Sequence, residues 1–199
     1  MKTEFSIGLA DKFCVAWAAQ SGTPAELNSL AEDQKKVCDI LLVVRDRAEV
    51  VVKSILTFLR AVVIPAQPAV TTSKEYFEEA GVRSMGSNFE SQFLGLEVGA
   101  TEDAELAVRK LEEASLDAPI LAELGDKAEI SVSQFRAFLA ENRESQEWFI
   151  FYLKGRDGEL WAVDADWLVV CGGWGVDADS VSDPDRWDRG RQVVSRKAA

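Results

Sequence analysis

Trp161-Ala-Val-Asp-Ala-Asp-Trp167 is followed by a near-copy, Trp174-Gly-Val-Asp-Ala-Asp-Ser180, whose start lies thirteen positions further along the chain. In both copies apolar and acidic residues alternate, which is typical of a β-strand with one buried and one solvated face. Gly172-Gly173 lies between them and favours a two-residue turn, because glycine adopts positive φ without strain. The sequence therefore predicts a β-hairpin that joins a strand ending at Cys171 to one beginning at Trp174.

The turn also predicts the register of this hairpin. A two-residue turn at Gly172-Gly173 pairs Cys171 with Trp174 and places Asp166 opposite Asp179. A slip by one residue would mix apolar with acidic partners, so the alternation supports this register. One face of the hairpin is then apolar and rich in tryptophan. The other face carries four carboxylates, those of Asp164, Asp166, Asp177 and Asp179.

Flanking segments extend the hairpin into a small antiparallel sheet. The apolar run 148–154 predicts a preceding strand, joined to the strand 159–171 through a glycine-rich turn at 155–158. Residues 192–195 predict a fourth strand. The side chains that this alignment puts on the tryptophan-rich face of the first strand are Trp148, Ile150 and Tyr152.

The N-terminal half carries a longer pattern. Thr23 and Glu26 have the spacing of a capping box, and apolar residues recur from there to Val63 with a heptad-like period. A proline two positions further on would end a helix. We therefore predict one helix from about Thr23 to Val63. The alternative is buried strands, because 41–44 and 50–52 are rich in β-branched residues.

The length of this helix has consequences for assembly. Forty residues span about 60 Å, whereas a compact domain of this chain length has a radius of gyration of about 16 Å. The helix is thus expected either to form the centre of a bundle or to pack against a second copy as a homodimer. Shorter helices are predicted over 73–80, over 101–115 and from Ser133.

Together these elements predict an α+β fold. A helical N-terminal half with one long helix precedes a small antiparallel β-meander of three to four strands. The domain organisation predicted from the same pattern is a helical region at 1–64, a linker at 65–72 that contains two prolines, and an α+β domain at 73–199 with its sheet at 148–195.

Composition excludes several classes of function. The 199 residues carry a net charge of −12, which repels the phosphate backbone of nucleic acids. There is no histidine, so the serine and cysteine protease triads and the usual zinc sites are excluded. Glycine-rich nucleotide-binding motifs are also absent from the sequence. We therefore expect no catalytic residues, no cofactor and no metal.

The location expected from the sequence is the cytoplasm. The three cysteines are far apart and form no Cys-x-x-Cys motif, as is usual for reduced thiols in a reducing compartment. Asp11 and Lys12 interrupt the first apolar run, which argues against a signal peptide. The most apolar stretch, 37–64, contains seven charged residues, too many for a membrane span.

The four aspartates form the candidate site. Like charges directly across two strands are destabilising, so something should offset them. Solvent, nearby arginines, a hard cation such as Ca²⁺ or Mg²⁺, or the basic surface of a partner could do so. Trp187 follows among arginines, a composition frequent in binding hot spots. The residues predicted to bind a partner are Asp164, Asp166, Asp177, Asp179, Arg186, Trp187 and Arg189.

These observations favour a non-enzymatic interaction protein. It would self-associate through the long helix. It would bind a basic partner through the acidic and aromatic C-terminal surface. One alternative is a hydrolase that uses the four carboxylates to hold a divalent metal. A further alternative is an acidic protein that mimics nucleic acid and inhibits a DNA-binding enzyme. Direct nucleic-acid binding and membrane association are not expected.

Overall fold

A computed structural model describes residues 23, 25–26, 54–143, 145 and 147–197. By its internal contacts the chain divides into two units, 1–53 and 54–199. In the first unit, the amide of Thr23 donates to Glu26 Oε2 at 2.7 Å, and the amide of Glu26 donates to Thr23 Oγ1 at 3.3 Å. The capping box predicted at Thr23 is thus confirmed.

The described part of the second unit contains ten strands and four α-helices. The strands are β1 (Leu56–Ile64), β2 (Val70–Thr71), β3 (Val82–Met85), β4 (Glu97–Val98), β5 (Ala104–Leu111), β6 (Glu129–Ile130), β7 (Phe149–Lys154), β8 (Leu160–Leu168), β9 (Gly173–Ser180) and β10 (Gln192–Arg196). The helices are α1 (Lys74–Glu78), α2 (Ser87–Phe93), α3 (Asp117–Leu124) and α4 (Val132–Glu141).

Eight of these strands form one mixed sheet. The strand order is β1-β5-β10-β7-β8-β9-β3. The short strand β6 pairs with the same edge of β7 as β10 does. Most neighbours are antiparallel, but β10 and β6 run parallel to β7, and β3 runs parallel to β9. The small strands β2 and β4 form a separate antiparallel pair.

The predicted α+β fold with a long helix and a small meander is wrong. Leu56–Ile64, the end of the predicted helix, is strand β1 and pairs with β5 from Leu56 to Ile64. Seven of these nine residues are apolar, so a heptad pattern fits them but does not distinguish a helix from a strand. Four of the nine are β-branched, which favours a strand. The fold is mostly β, and residues 27–53 of the predicted helix lie outside the described residues.

Two further predictions concern segments next to β1. Residues 101–115, predicted as a helix, contain β5, which pairs with both β1 and β10. Residues 65–72, predicted as a linker, contain β2, and Gln67 pairs with Thr101 through two backbone hydrogen bonds of 2.9 Å. The proline-rich segment therefore carries backbone pairing of its own.

The central hairpin has the predicted faces but a different register. Leu168 pairs with Gly173 and Trp167 with Trp174, so that the turn spans Val169 to Gly172 rather than Gly172-Gly173. Gly172 has φ +61°, which completes this turn without strain. Each residue faces a partner four positions earlier than predicted, and an even displacement keeps every side chain on its face. Cys171, predicted to lie in a strand, is an exposed free thiol in the turn.

The face predicted for β7 is wrong. Ile150 pairs with Asp164 and Tyr152 with Ala162, so both lie on the acidic side of the sheet. Phe149, Phe151 and Leu153 lie on the tryptophan-rich side instead. The loop between Lys154 and Leu160 contains five residues, one more than predicted, and a shift of one residue exchanges the two faces of a strand.

Each side of the sheet has its own apolar core. The larger core is rich in aromatic rings and packs one face of the sheet against α1, α2 and α4. Its largest fully buried side chains include Trp174, Phe77, Phe89, Phe135, Phe138, Phe149 and Phe151. The smaller core, on the opposite face, packs Ile120 and Leu124 of α3 against residues that include Ile150 and Tyr152. Among the described residues, no helix has the length and apolar character needed to cross a membrane.

Candidate functional site

The four predicted aspartates lie together on β8 and β9, on the side of the sheet that holds the smaller core. We call Asp164, Asp166, Asp177 and Asp179 the acidic face. Asp164 is directly opposite Asp177, whereas Asp166 faces Gly175 and Asp179 faces Ala162. The like-charged pair of the structure is therefore Asp164 and Asp177, and the predicted pair of Asp166 with Asp179 is wrong. Neighbours on one face are close enough for strong repulsion.

Burial makes this repulsion more costly. The pKa of Asp164 is raised to about 6, chiefly by burial; the charge of Arg191 opposes the shift, and the carboxylates of Asp177, Asp166 and Asp179 add to it. Burial likewise raises the pKa of Asp166 and that of Asp179 above the ordinary value of an aspartate. Carboxylates whose pKa is raised by burial and by neighbouring charges occur at functional sites and also in structural charge networks.

None of the four carboxylates of the acidic face forms an ion pair within the described part of the chain. Asp177 Oδ1 accepts a hydrogen bond of 2.8 Å from the amide of Ala178. Arg191 acts on Asp164 and Asp166 through its charge and forms its ion pair with Asp188, at 3.5 Å. The acidic face is therefore only partly compensated.

A buried carboxylate that the sequence did not indicate adjoins the acidic face. Asp117, in the first turn of α3, is 2% exposed. Its Oδ1 accepts hydrogen bonds of 2.7 Å from Tyr152 Oη and of 2.7 Å from Trp187 Nε1. Burial raises the pKa of Asp117, while these two hydrogen bonds lower it. Burial and Asp117 also raise the pKa of Tyr152, so its hydroxyl stays protonated and donates.

This arrangement builds a cleft of about 210 Å³ beside the acidic face. Trp187 forms its wall, held by the bond to Asp117 and by two backbone hydrogen bonds to Ser115, at 2.9 and 3.1 Å. The cleft is thus lined by a rigid aromatic ring and by charged groups of both signs. Its lining residues are Asp117, Asp179, Asp183, Asp185, Arg186, Trp187 and Arg191.

A second cleft, of about 440 Å³, is also lined by Arg191. Its lining includes Trp148, which is 42% exposed, and Arg189. The structure therefore brings the predicted residues Arg186 and Trp187 next to Asp179 and puts Arg189 in the neighbouring cleft. Sequence reasoning missed Asp117 because nothing around it differs from an ordinary helix start, and its partners are 35 and 70 residues away.

The arrangement of these carboxylates suits binding better than metal chemistry. Among the described residues, no three acidic or thiol side chains converge closely enough to hold a metal ion. The acidic face is also a compact cluster on two neighbouring strands, whereas a nucleic-acid mimic needs a long line of charges at phosphate-like intervals. It is a negatively charged surface bordered by Trp187.

Comparison with known proteins adds no further guide. Searches against protein-family models, curated proteins and solved structures find no match to this chain.

Replacing Asp164 by asparagine should stabilise the protein at pH 8. The pKa of this carboxylate is higher in the folded protein than in the unfolded chain, so folding takes up a proton between pH 4 and 6. The cost of the buried charge is fully present above pH 6 and vanishes below pH 4. We expect Asp164→Asn to raise the free energy of unfolding by about 2 kcal/mol at pH 8, and by much less at pH 4.

Urea unfolding at both pH values measures this difference. The matched control is Asp126→Asn, because the Asp126 side chain is 81% exposed and far from the acidic face in the sequence. The control should change stability by less than about 0.5 kcal/mol at either pH. A loss of stability at pH 8 in Asp164→Asn would show that the carboxylate stabilises the fold.

Proposed function

We propose that this chain is a binding protein whose acidic face and adjoining cleft bind a basic segment of a partner protein. The observation that carries the proposal is the directly opposed pair Asp164 and Asp177, which has no ion-pair partner among the described residues. A partner's arginine or lysine side chains would remove the repulsion between these carboxylates on binding.

Burial increases the expected effect of such a partner. Charges at a half-buried surface interact several times more strongly than in water, because the effective dielectric constant is lower. Asp164 and Asp166 are half-buried, and Asp183 and Asp185 extend the negative charge along the cleft. A chain with net charge −12 also attracts a basic partner at long range, which raises the association rate.

The tryptophans supply contact area next to this charge. Trp148 is 42% exposed, and Trp187 is half-buried and fixed in place by Asp117. Rigid aromatic side chains at the edge of a charged site are frequent energetic centres of protein interfaces. Arg186 and Arg189 border the clefts and can donate hydrogen bonds to carbonyl groups of a bound segment.

Two other parts of the functional prediction are self-association and location. Self-association was based on the long helix, and since 56–64 is a strand we do not propose it again. The cytoplasmic location remains a proposal. It is supported by the exposed free thiol of Cys171, which fits a reducing compartment.

Binding of an arginine-rich peptide, measured by fluorescence anisotropy, tests the proposal. The site variant replaces the four aspartates of the acidic face by asparagine. The control variant replaces four exposed glutamates on other elements by glutamine, namely Glu97, Glu102, Glu141 and Glu159. Both variants have the same net charge, so long-range attraction is matched.

We expect the site variant to bind the peptide about 30-fold more weakly than the unmodified protein, and the control variant less than about 3-fold more weakly. The difference should shrink at high salt, because salt screens the exposed part of the interaction. Equal losses in the two variants would contradict the proposal, since the peptide would then be responding to net charge alone.

A further inference from the structure

Arg191, immediately before β10, lies between two tryptophans. Its guanidinium carbon is 3.8 Å from the centre of the Trp148 ring and 5.5 Å from that of Trp187. The side chain of Arg191 is 18% exposed, and its ion pair with Asp188 is long, at 3.5 Å. These distances are those of a cation held by aromatic faces, an arrangement that also binds guanidinium and substituted ammonium groups of ligands.

Both clefts meet at this arginine. Arg191 lines the cleft that contains Asp179 and the cleft that contains Asp188, so two spaces with acidic lining border this residue. If the Arg191 side chain moved out from between the tryptophans, the position that its guanidinium now occupies beside the two rings would become free. A side chain entering from solvent could then reach that position.

We infer that the Trp148–Trp187 slot is a binding site for an arginine side chain of the basic partner, and that Arg191 occupies this site until the partner displaces it. The inference rests on the proposed function and names the residue type that the surface selects. Arginine fits better than lysine, because a planar guanidinium stacks on an indole ring and donates to flanking carboxylates at the same time.

Displacement of Arg191 leaves the charge balance of the site unchanged. Arg191 is the cation that acts on Asp164 and Asp166, and an incoming guanidinium in the same slot takes over that role. Arg191 would lose its stacking on the tryptophans, which the incoming guanidinium re-forms, and its ion pair with Asp188, which contributes little because the Asp188 side chain is 81% exposed. The internal arginine therefore acts as a competitor that lowers the apparent affinity for the partner.

Removal of this competitor gives the test. Two peptides of equal length and charge, one with arginines and one with lysines, are titrated into the unmodified protein and into Arg191→Ala. We expect Arg191→Ala to bind the arginine peptide about tenfold more tightly and the lysine peptide at most about threefold more tightly. The added Trp148→Ala change should abolish this difference between the peptides.

Arg191→Gln is the second variant, used if urea unfolding shows that the alanine variant is unstable. The glutamine side chain is longer than that of alanine and keeps packing against Trp148. An equal gain for both peptides would overturn the inference, since Arg191 would then be only a counter-charge, and the proposed function would stand. Weaker binding of the arginine peptide to both variants would overturn it too. If neither peptide binds any form of the protein, both the proposed function and the inference are wrong.

Discussion

Replacing Trp174 by alanine is expected to lower the free energy of unfolding by about 4 kcal/mol, the largest effect of any single change considered for this protein. Trp174 is fully buried at the centre of the larger core. Its ring packs edge-on against Trp167 at 5.3 Å and against Phe149 at 5.9 Å. Its Nε1 donates a hydrogen bond of 3.0 Å to the carbonyl of Leu139, which links β9 to α4.

Urea unfolding of Trp174→Ala measures the effect, and Trp161→Ala is the matched control. Trp161 is half-buried on the same side of the sheet, and its Nε1 bonds only to the exposed side chain of Asp157, at 3.2 Å. We expect the control to lose about 1–2 kcal/mol. Equal losses in the two variants would contradict the position of Trp174 in the core.

Replacing Asp117 by alanine should cost about 3 kcal/mol. The change leaves two donors without an acceptor, the Tyr152 hydroxyl and the Trp187 indole, and Tyr152 is fully buried. A buried donor without a partner lowers the free energy of unfolding by more than the loss of a typical hydrogen bond does. Since Trp187 forms the wall of the cleft, the alanine variant should also bind the basic peptide more weakly.

Asp117→Asn separates the hydrogen bonds from the charge. Asparagine keeps a carbonyl oxygen that can accept from Tyr152 and Trp187, and it removes a buried charge whose pKa is already raised. We expect this variant to stay within about 1 kcal/mol of the unmodified protein in urea unfolding at pH 7. A loss as large as that of the alanine variant would show that the charge of Asp117, rather than its acceptor, holds the cleft together.

The part of the fold that could be predicted from the sequence is the part with a clear two-residue period. In β8 and β9 the aspartates occupy every second position, and the tryptophans and valines occupy the alternate positions, so the two faces follow from alternation alone. The register of the hairpin could not be predicted from this alternation, because Gly172-Gly173 favours a two-residue turn. The structure has a longer turn, which brings the rings of Trp167 and Trp174 into contact.

Where the apolar period was ambiguous, the predicted secondary structure was wrong. β1 is apolar at most positions and β5 mixes apolar with charged residues, so both are compatible with helical patterns in isolation. They are strands because β1 pairs with β5, and because β5 also pairs with β10, about 80 residues further along the chain. Long-range pairing of this kind overrides local propensity and cannot be deduced from local patterns.

The same reason explains which parts of the candidate site could be predicted. The four aspartates lie on neighbouring strands and were found from alternation. Asp117 and the stacked pair of Trp148 with Arg191 depend on contacts between distant segments, and a single sequence carries no signal for them. The site is thus more aromatic and more enclosed than its acidic residues alone indicated.

Nuclear magnetic resonance of the tryptophan indole groups tests the central claim, that the acidic face and its clefts bind a basic segment. An arginine-rich peptide is titrated into the protein labelled with ¹⁵N, and the Nε1 signal of each tryptophan is followed. We predict that the signals of Trp148 and Trp187 shift with saturation, while those of Trp161 and Trp174 remain in place. Saturable binding that leaves Trp148 and Trp187 unmoved would contradict the account.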